Sequence, residues 1–359
     1  RRKRRIMKIT SAILTSAHLN LSNSAIEFDH ISIDSRSLQN GNATLFFCLK
    51  GQNNDAHSYI KSLIEKGVQH FVVEYIPENV DGKAHFCVVE NTTNALQNLA
   101  KAYKKQFQIE TIGITGSNGK TIVKEWLNFL LSPDFSVVRS PKSFNSQVGV
   151  PLSIFGINEN HTLGIFEAGI SLKGEMQKLA EIIQPNIGIF THLGNAHQEG
   201  FTTVEEKIIE KCQLFTNSEI VILEKNDWIE KHIQVTTFTW SFEDPKANVF
   251  ILSKVKNNLK TTLEIQFENE TFKISLPFTD DISIENAITC VSTLLYLKTD
   301  IAIIKERISK LYNIEIRLQA KKGINNCLLI DDSFSSDYQS LKIALDFLEQ
   351  QKLHQKKTI

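Results

Sequence analysis

The feature that most constrains the fold is a short apolar run at residues 111–115 that leads directly into a glycine-rich turn. The run predicts a buried strand, and the apolar spacing after the turn predicts a helix over about 120–131. A buried strand joined through glycine to a helix N-terminus is typical of α/β proteins that bind phosphate. We therefore expect an open α/β sheet that carries an anion-binding turn.

Short β-rich runs alternate with helical patterns along most of the chain. Before residue 106 the sequence predicts strands at 44–49, 70–73 and 85–89 and helices at 56–66 and 94–105. After the strand at 111–115 it predicts strands at 163–166, 187–190 and 220–223 and helices at 174–183 and 203–215. This alternation predicts a doubly wound, mostly parallel sheet.

Residues 235–276 have a different pattern. Runs at 249–252, 262–267 and 271–276 predict antiparallel hairpins packed beside the main sheet, and helices at 284–297 and 301–311 follow. A strand at 327–330 and a helix from about 336 to 349 then begin a further unit, which is short of the ~100 to 150 residues of a typical domain. We expect the chain to stop within that domain.

The predicted organisation is thus three α/β domains. Residues 1–108 form a small α/β domain, residues 109–313 form the central domain with the mostly parallel sheet and its antiparallel subregion, and residues 314–359 begin a Rossmann-like domain. No internal repeat or low-complexity segment interrupts this pattern.

Charge and hydropathy exclude two broad classes. The chain has 40 Lys and Arg and 40 Asp and Glu, and five of the basic residues precede Met7. The remaining body is mildly acidic, which argues against a nucleic-acid partner. No apolar stretch reaches the ~18 to 20 residues of a membrane span. The basic tip, residues 1–6, has three interpretations: a nucleic-acid or nuclear-targeting patch, an exposed tail, or sequence that precedes a true start at Met7.

The five cysteines are scattered and form no CxxC pair. Neither a disulfide framework nor a zinc site is indicated. Each cysteine lies in an apolar neighbourhood, so we expect five buried, reduced thiols and a cytoplasmic location.

The glycine-rich turn, residues 115–121, reads TGSNGKT. Its backbone N–H groups can surround a phosphate, Lys120 can neutralise the β and γ oxygens, and the Thr121 hydroxyl can hold Mg²⁺. Ile114 occupies the position where the common P-loop has its first glycine, so this loop is a shorter variant. The predicted nucleotide-binding residues are Gly116, Ser117, Asn118, Gly119, Lys120 and Thr121. From this turn alone, kinases, motor-like ATPases, GTPases and ligases all remain open.

Further candidates follow later strands. Glu167 comes at the end of the strand at 163–166, where a carboxylate is well placed for Mg²⁺, and His197 follows the next strand. Lys211 lies on the helix at 203–215. Lys207 and Lys211 are one turn apart and share a face, and Glu206 and Glu210 are one turn apart beside them, which indicates a solvated, charged helix face.

In order and spacing these residues resemble the Mur ligase family, the ATP-dependent amide-bond-forming enzymes of peptidoglycan precursor synthesis. GSNGKT at 116–121 resembles the family's short P-loop, and FNSQVGVP at 144–151 resembles its Asn-containing segment. The resemblance implies that Thr121 and Glu167 hold one Mg²⁺ and His197 a second. It also implies that Lys211 is carbamylated by CO₂ near the metals, which replaces the interpretation as a solvated face. Lys120, Lys211, His197 and Glu167 would then be the catalytic residues.

Within the family, the resemblance extends to the members that add D-alanyl-D-alanine to UDP-N-acetylmuramoyl-tripeptide. It implies that residues 1–108 bind the UDP-muramoyl substrate and that the third domain receives the dipeptide. The implied substrate-binding residues are Asp34, Ser35, Arg36, His57 and Asn145, and further nucleotide-binding residues are Asn286, Arg317 and Asp332. The sequence is also similar to a Bacteroidetes branch of the family, whose members are often fused to an alanine racemase. The resemblance therefore allows a racemase domain as a further part of the full-length protein.

The sequence also departs from the family pattern. His192 replaces an asparagine, Glu285 and Asn286 match the family's His-Asn segment only loosely, and Ser335 replaces an asparagine. Three alternatives stay open: a sister ligase of the diamino-acid-adding or folylpolyglutamate type, a fragment that binds both nucleotides without catalysis, and a P-loop kinase or GTPase.

Overall fold

The structure is a computed structural model that describes residues 7–21, 27–36, 38, 41–51, 53–80, 82–192, 200–257, 259–312, 314, 319–323, 327–331 and 345. The chain divides into two compact units. The first unit comprises residues 1–113, 134–170 and 174–186, and the second comprises residues 114–133, 171–173 and 187–359. The three-domain division stays a prediction.

The elements follow the predicted alternation of strands and helices. The helices are α1 (Ser11–Ser16), α2 (Ile60–Glu65), α3 (Thr92–Lys104), α4 (Lys120–Leu131), α5 (Gly149–Ile154), α6 (Glu175–Ile183), α7 (Val204–Cys212), α8 (Asp227–Glu230), α9 (Asp281–Tyr296) and α10 (Ile301–Ile308). The strands are β1 (His30–Ser32), β2 (Thr44–Phe47), β3 (His70–Val73), β4 (His85–Val88), β5 (Glu110–Thr115), β6 (Val137–Arg139), β7 (Leu163–Glu167), β8 (Ile187–Phe190), β9 (Ile220–Glu224), β10 (Thr236–Ser241), β11 (Val249–Lys256), β12 (Thr261–Phe267), β13 (Glu270–Leu276), β14 (Gln319–Lys322) and β15 (Leu328–Asp331).

A four-stranded parallel sheet, in the order β1-β2-β3-β4, lies in the first unit. Every residue of β2 and of β3 is buried, as is usual for parallel strands covered on both faces. Phe46 and Phe71 from these strands pack with Ile60 and Leu63 of α2 in the core. This part of the chain is therefore the α/β unit that the sequence predicts.

A nine-stranded sheet has the order β13-β12-β11-β10-β9-β8-β5-β7-β6. The pairs β6–β7, β8–β9, β9–β10 and β10–β11 are parallel, whereas β11, β12 and β13 form antiparallel hairpins. The prediction of a doubly wound, mostly parallel sheet with antiparallel strands is confirmed. The prediction that the hairpins pack beside the main sheet is wrong, because β11 pairs with β10 and so continues the sheet.

Helices α4 and α9 pack against each other in the second unit. Val123, Trp126 and Leu127 of α4 and Ile288 and Val291 of α9 are buried. Lys120 and the residues after it begin α4 directly behind the glycine-rich turn. Burial of the apolar face of α4 therefore fixes the position of the turn that precedes it.

Some predictions concern the chain termini and the cysteines. Residues 1–6 and most of the helix predicted at 336–349 lie outside the described residues. Four cysteines are buried and free, but Cys327 is exposed, so the prediction of five buried thiols is wrong for that residue. Among the residues that the structure describes, none of the helices has the length and apolarity needed to cross a membrane.

Candidate active site

The glycine-rich turn joins the end of β5 to the start of α4, as predicted. Gly116 and Gly119 have φ angles of 141° and 86°, in the region that side chains disfavour. A Cβ on Gly116 would overlap the Thr191 hydroxyl, and one on Gly119 would overlap the Asn286 amide. Only glycine therefore fits at both positions without displacing the side chains of Thr191 and Asn286.

The residues after β8 hold this turn. The Thr191 hydroxyl lies 2.5 Å from the Asn118 carbonyl oxygen and 3.2 Å from that of Thr115. The Ser117 N–H donates to the His192 carbonyl oxygen at 3.0 Å. The turn is thus fixed by contacts outside its own sequence, which gives a preorganised loop.

Two lysines converge on the turn. Lys120 Nζ donates to the carbonyl oxygens of Gly116 and Ser117 at 2.9 and 3.1 Å, and Lys211 Nζ donates to the Gly116 carbonyl oxygen at 2.8 Å. Burial holds the pKa of Lys211 well below its usual range, and the positive charges of Lys120 and Lys207 lower it further. Lys211 can therefore be a neutral amine.

The interpretation of α7 as a solvated, charged face is wrong. Glu210 and Lys211 are buried, with 7% and 3% exposure, whereas Glu206 and Lys207 are partly exposed. Lys211 follows the buried Ile208 by one helical turn and precedes the buried Cys212. These two apolar neighbours are the local signal that could have placed Lys211 on the inner face.

A cavity of ≈ 150 Å³ lies beside α9 at the carboxyl ends of β8 and β9, and we refer to it as the β8–α9 cavity. Its lining residues are Phe190, Thr191, His192, Leu223, Glu224, Asn226, Ile229, Trp240, Glu285, Asn286 and Thr289. Asn286 Nδ2 and Trp240 Nε1 are buried and have no hydrogen-bond partner among the described residues. Buried donors without acceptors are costly, so a ligand with acceptor atoms fits this cavity.

An ion pair forms part of the wall of the β8–α9 cavity. His192 Nδ1 lies 3.4 Å from Glu285 Oε2. The hydrogen bond to Glu285 raises the pKa of His192, against the opposing effect of burial. The side chain of Glu224 reaches solvent, yet desolvation at the wall raises its pKa, and the charge of Glu285 adds to this rise. The sequence analysis named His192 and Glu285 only as departures from the family pattern. It did not identify Glu224 and Trp240, which also line this cavity, as candidate site residues.

Glu167 is the last residue of β7 in the first unit, and its side chain is fully buried. Its N–H donates to Ser140 Oγ at 3.2 Å, and its Oε2 accepts from Asn145 Nδ2 at 3.5 Å. Asn145 in turn is held by the Gly169 N–H, which donates to its carbonyl oxygen at 2.8 Å. The structure therefore brings together Glu167 and Asn145, which the sequence predicted for different roles.

His57 is 2% exposed, and both of its ring nitrogens are engaged. Nε2 accepts from the Glu74 N–H at 2.9 Å, so Nδ1 carries the proton and donates to Asp55 Oδ1 at 2.5 Å. Tyr75 stacks on the His57 ring at 4.2 Å and donates to Asp55 Oδ2. The ring nitrogens of His57 are thus not available to a ligand, and Tyr75 is the exposed member of this group.

Asp34, Ser35 and Arg36 follow β1. Arg36 forms a two-point ion pair with Asp34, at 2.9 Å from Nε and 3.1 Å from Nη2, and Arg36 is exposed. The Ser35 carbonyl oxygen accepts from Lys66 Nζ at 3.3 Å. Their role in substrate binding stays a prediction.

Three predicted site residues, His197, Arg317 and Asp332, lie outside the described residues. Within the described ranges, no group of three or more His, Cys, Asp and Glu side chains is arranged to hold a metal ion. The predicted metal ligands inside those ranges are Thr121, Glu167 and Lys211, and all three are buried.

Comparison with known proteins gives consistent matches. The Mur ligase middle domain matches residues 114–294, and the Mur ligase family catalytic domain matches residues 27–111. The chain is 29% identical over 346 residues to UDP-N-acetylmuramoyl-tripeptide--D-alanyl-D-alanine ligase of Rickettsia prowazekii, with 92% of this chain and 75% of that protein covered.

Solved structures similar to this one include two MurF ligases. MurF from Acinetobacter baumannii matches with a TM-score of 0.85 and 22% identity, over 96% of this chain and 77% of that chain. The MurF ligase of Thermotoga maritima in complex with ADP matches with a TM-score of 0.75 and 22% identity, over 89% of this chain and 74% of that chain. At this identity the two likenesses establish the fold.

Proposed function

This chain belongs to the Mur ligase family, and we propose that it is an ATP-dependent ligase that joins D-alanyl-D-alanine to UDP-N-acetylmuramoyl-tripeptide in peptidoglycan precursor synthesis. The observation that carries the proposal is the convergence of Lys120 and Lys211 on the Gly116 carbonyl oxygen. A P-loop kinase or GTPase needs Lys120 but has no use for a buried second lysine at the same oxygen. The relative in Rickettsia prowazekii, which bears the name of this ligase, supports the choice of substrates.

ATP would bind along the second unit. The N–H groups of the turn other than that of Ser117, which donates to the His192 carbonyl oxygen, would hold its phosphates together with the Lys120 amine, since they lie at the N-terminus of α4. The base would occupy the β8–α9 cavity, where Asn286 Nδ2 and Trp240 Nε1 are buried donors in need of acceptors. Arg317 and Asp332 are proposed as further nucleotide contacts from the resemblance alone.

The donor chemistry of the residues fits magnesium. The Thr121 hydroxyl and the Glu167 carboxylate are hard oxygen ligands of the kind that Mg²⁺ prefers, and both are buried. We propose that they hold one ion and that His197, with a carbamate on Lys211, serves a second. The ions would supply positive charge that offsets repulsion between the triphosphate and the substrate carboxylate.

The proposed reaction has two steps. A carboxylate oxygen of the tripeptide attacks the γ-phosphorus of ATP, so a P–O bond forms to the carboxylate while the bond to ADP breaks. The amine of D-alanyl-D-alanine then attacks the acyl carbon and loses a proton to solvent, so an amide forms and phosphate leaves with the C–O electron pair. Lys120 would stabilise the charge that develops on the transferred phosphoryl group. The neutral Lys211 amine is the form that reacts with CO₂ to give a carbamate and a proton.

The remaining roles are proposed by resemblance. Residues 1–108 would bind the UDP-muramoyl substrate through Asp34, Ser35 and Arg36, with the buried His57 acting through Asp55 and Tyr75. Asn145 would act nearer the reacting carboxylate. Residues 314–359 would begin the domain that receives the dipeptide. A cytoplasmic location, where UDP-linked precursors are made, and fusion to an alanine racemase in the full-length protein are parts of the same proposal.

The deciding experiment is phosphate release from ATP and Mg²⁺ with UDP-N-acetylmuramoyl-tripeptide, with and without D-alanyl-D-alanine. The chain would be tested beside a version extended through the whole third domain. We expect dipeptide-dependent release from the extended chain, and the result for the shorter chain shows whether it is an enzyme or a binding fragment. Release that depends on a diamino acid or on a folate instead would move the assignment to a sister ligase.

A further inference from the structure

The end of β8 and helix α9 both contact the glycine-rich turn, and one ion pair joins these two segments. At the end of β8, the His192 carbonyl oxygen accepts from the Ser117 N–H at 3.0 Å. In α9, Asn286 lies so close to Gly119 that a Cβ on that glycine would overlap its side chain. Glu285 directly precedes Asn286, and its Oε2 lies 3.4 Å from His192 Nδ1. The pair therefore connects two of the segments that contact the turn.

Among the residues that the structure describes, the charged groups acting on His192 come from two elements. Glu285 on α9 is its direct partner, and Glu224 at the end of β9 adds a second negative charge. Glu243 in turn contributes to the environment of Glu224. The hydrogen bond to Glu285 raises the pKa of His192 above its ordinary value. A protonated His192 thus offsets one of the two negative charges of Glu285 and Glu224 at the wall of the β8–α9 cavity.

We propose that the His192–Glu285 pair is a proton-dependent positioning device for the nucleotide, so that affinity for ATP falls as pH rises. The inference rests on the proposed ATP-dependent reaction. With a proton on His192, the pair ties α9 to the end of β8 and adds positive charge beside the turn. Without that proton, Glu285 and Glu224 leave uncompensated negative charge near a triphosphate, which opposes binding.

His192 is a positioning residue in this scheme, since its carbonyl contact to Ser117 and its ion pair act through other groups. Proton binding and nucleotide binding must be linked reciprocally. If protonation of His192 strengthens ATP binding, then bound ATP must raise the pKa of His192 by the same factor. A purely structural histidine has no such property, so the pH dependence separates the two roles.

The test is isothermal titration calorimetry of the full chain with Mg²⁺ and a non-hydrolysable ATP analogue, from about pH 6 to about pH 9. We expect the Kd to rise by about fivefold or more over this range. Repeating the titration in two buffers of different ionisation enthalpy should show net proton uptake on binding. The γ-phosphate of the analogue changes its protonation over the same pH range in every variant. Differences between variants in the pH dependence of Kd therefore report on His192.

Two variants sharpen the test. His192→Asn keeps the backbone carbonyl and should bind the analogue weakly at all pH values, with little dependence on pH beyond that of the phosphate. Adding Glu285→Gln should restore most of the affinity, because it removes the carboxylate that His192 no longer balances. This recovery is a non-additive effect that a loss of packing would not produce.

The matched control is another histidine–glutamate pair of the second unit. His232 Nε2 lies 3.3 Å from Glu205 Oε1 and does not line the β8–α9 cavity. His232→Asn should keep the pH profile of the unmodified protein. Thermal unfolding of each variant establishes that it is folded before binding is compared.

The outcomes are distinct. A His192→Asn variant with the same pH profile as the unmodified protein, or a double variant that binds no better than His192→Asn, would overturn the inference and leave the proposed function intact. An unmodified chain that binds the analogue at no pH would overturn the nucleotide-binding step of the proposed function, and the inference with it.

Discussion

The side-chain amines of Lys120 and Lys211 donate to the same carbonyl oxygen, that of Gly116, at 2.9 and 2.8 Å. Lys120 begins α4, and Lys211 lies in the last turn of α7. Two positive charges at one oxygen repel each other, and burial penalises the charge on Lys211 further. The fold therefore keeps a second lysine, with a depressed pKa, in contact with the turn that we propose for the triphosphate.

Replacing Lys211 tests whether its amine has a chemical role. Lys211→Met keeps the length of the side chain and suits a buried position, but it cannot form a carbamate. We expect the chain to fold, with a change in unfolding free energy of no more than about 1.5 kcal/mol, because one hydrogen bond is lost. We expect ligation by the extended chain to fall by on the order of 10² to 10³. Steady-state phosphate release measures the effect.

The matched control for this prediction is Lys231→Ala. Lys231 is a half-exposed lysine of the same unit that pairs with Glu205. Its removal should leave turnover unchanged. Near-normal turnover of Lys211→Met would contradict the carbamate role, whereas equal losses in both variants would indicate a general effect of lysine removal.

Adding a methyl group at Gly119 should damage nucleotide binding. Gly119→Ala combines a φ of 86° with a direct overlap on the Asn286 side chain, so that side chain or the turn must shift. We expect a loss of stability above the ~1 to 2 kcal/mol that the backbone conformation alone costs, and ATP affinity should fall as well. Urea unfolding and calorimetric titration measure the two effects.

Gly174→Ala separates the two causes. Gly174 has a φ of 81°, but a Cβ there would meet open space. This variant should lose only the conformational contribution and should bind ATP normally. If both variants lose the same stability and both bind ATP, the contact between Gly119 and Asn286 has no role in the site.

The glycine-rich turn could be predicted from sequence because its determinants are local. Strand β5, the glycines at 116 and 119 and the start of α4 are adjacent in the chain, and their pattern alone indicates a phosphate-binding turn. The burial of Lys211 is not local, because it depends on contact with Gly116 from a distant segment. Periodicity therefore placed Lys211 on the wrong face, and the resemblance to a family replaced that interpretation.

In the rest of the fold too, features with local determinants could be predicted, whereas features that depend on distant segments could not. The bounds of β3 and α4 match the predicted ranges, since each has a strong apolar pattern of its own. Strand β10 was missed, and its parallel pairing with β11 makes the hairpins continue the sheet. The β8–α9 cavity could not be predicted either, because Trp240 and Glu224 come from different strands and meet only in the folded chain.

His57 should contribute mainly to the stability of the first unit. His57→Ala removes the acceptor of the Glu74 N–H and the donor to Asp55, and it leaves a cavity under Tyr75. We expect a loss of about 2 to 4 kcal/mol in unfolding free energy. Tyr75→Phe removes only one exposed hydrogen bond and should cost about 1 kcal/mol or less. Equal losses in urea unfolding would contradict the buried, doubly bonded position of His57.

His70 should make stability depend on pH. Its ring is buried against His85 at a centroid distance of 4.9 Å, and neither ring nitrogen has a hydrogen-bond partner among the described residues. Burial lowers the pKa of His70, and the nearby His85 lowers it further. Below the ordinary pKa near 6.5 the unfolded chain binds a proton that the folded chain does not, so stability should fall as pH drops from that value towards the folded pKa.

His70→Phe keeps an aromatic ring and should reduce this slope, and His85→Gln should reduce it in part by removing a like charge. Urea unfolding between about pH 5 and about pH 7.5 measures the slope, and identical slopes in all three proteins would show that another group is responsible.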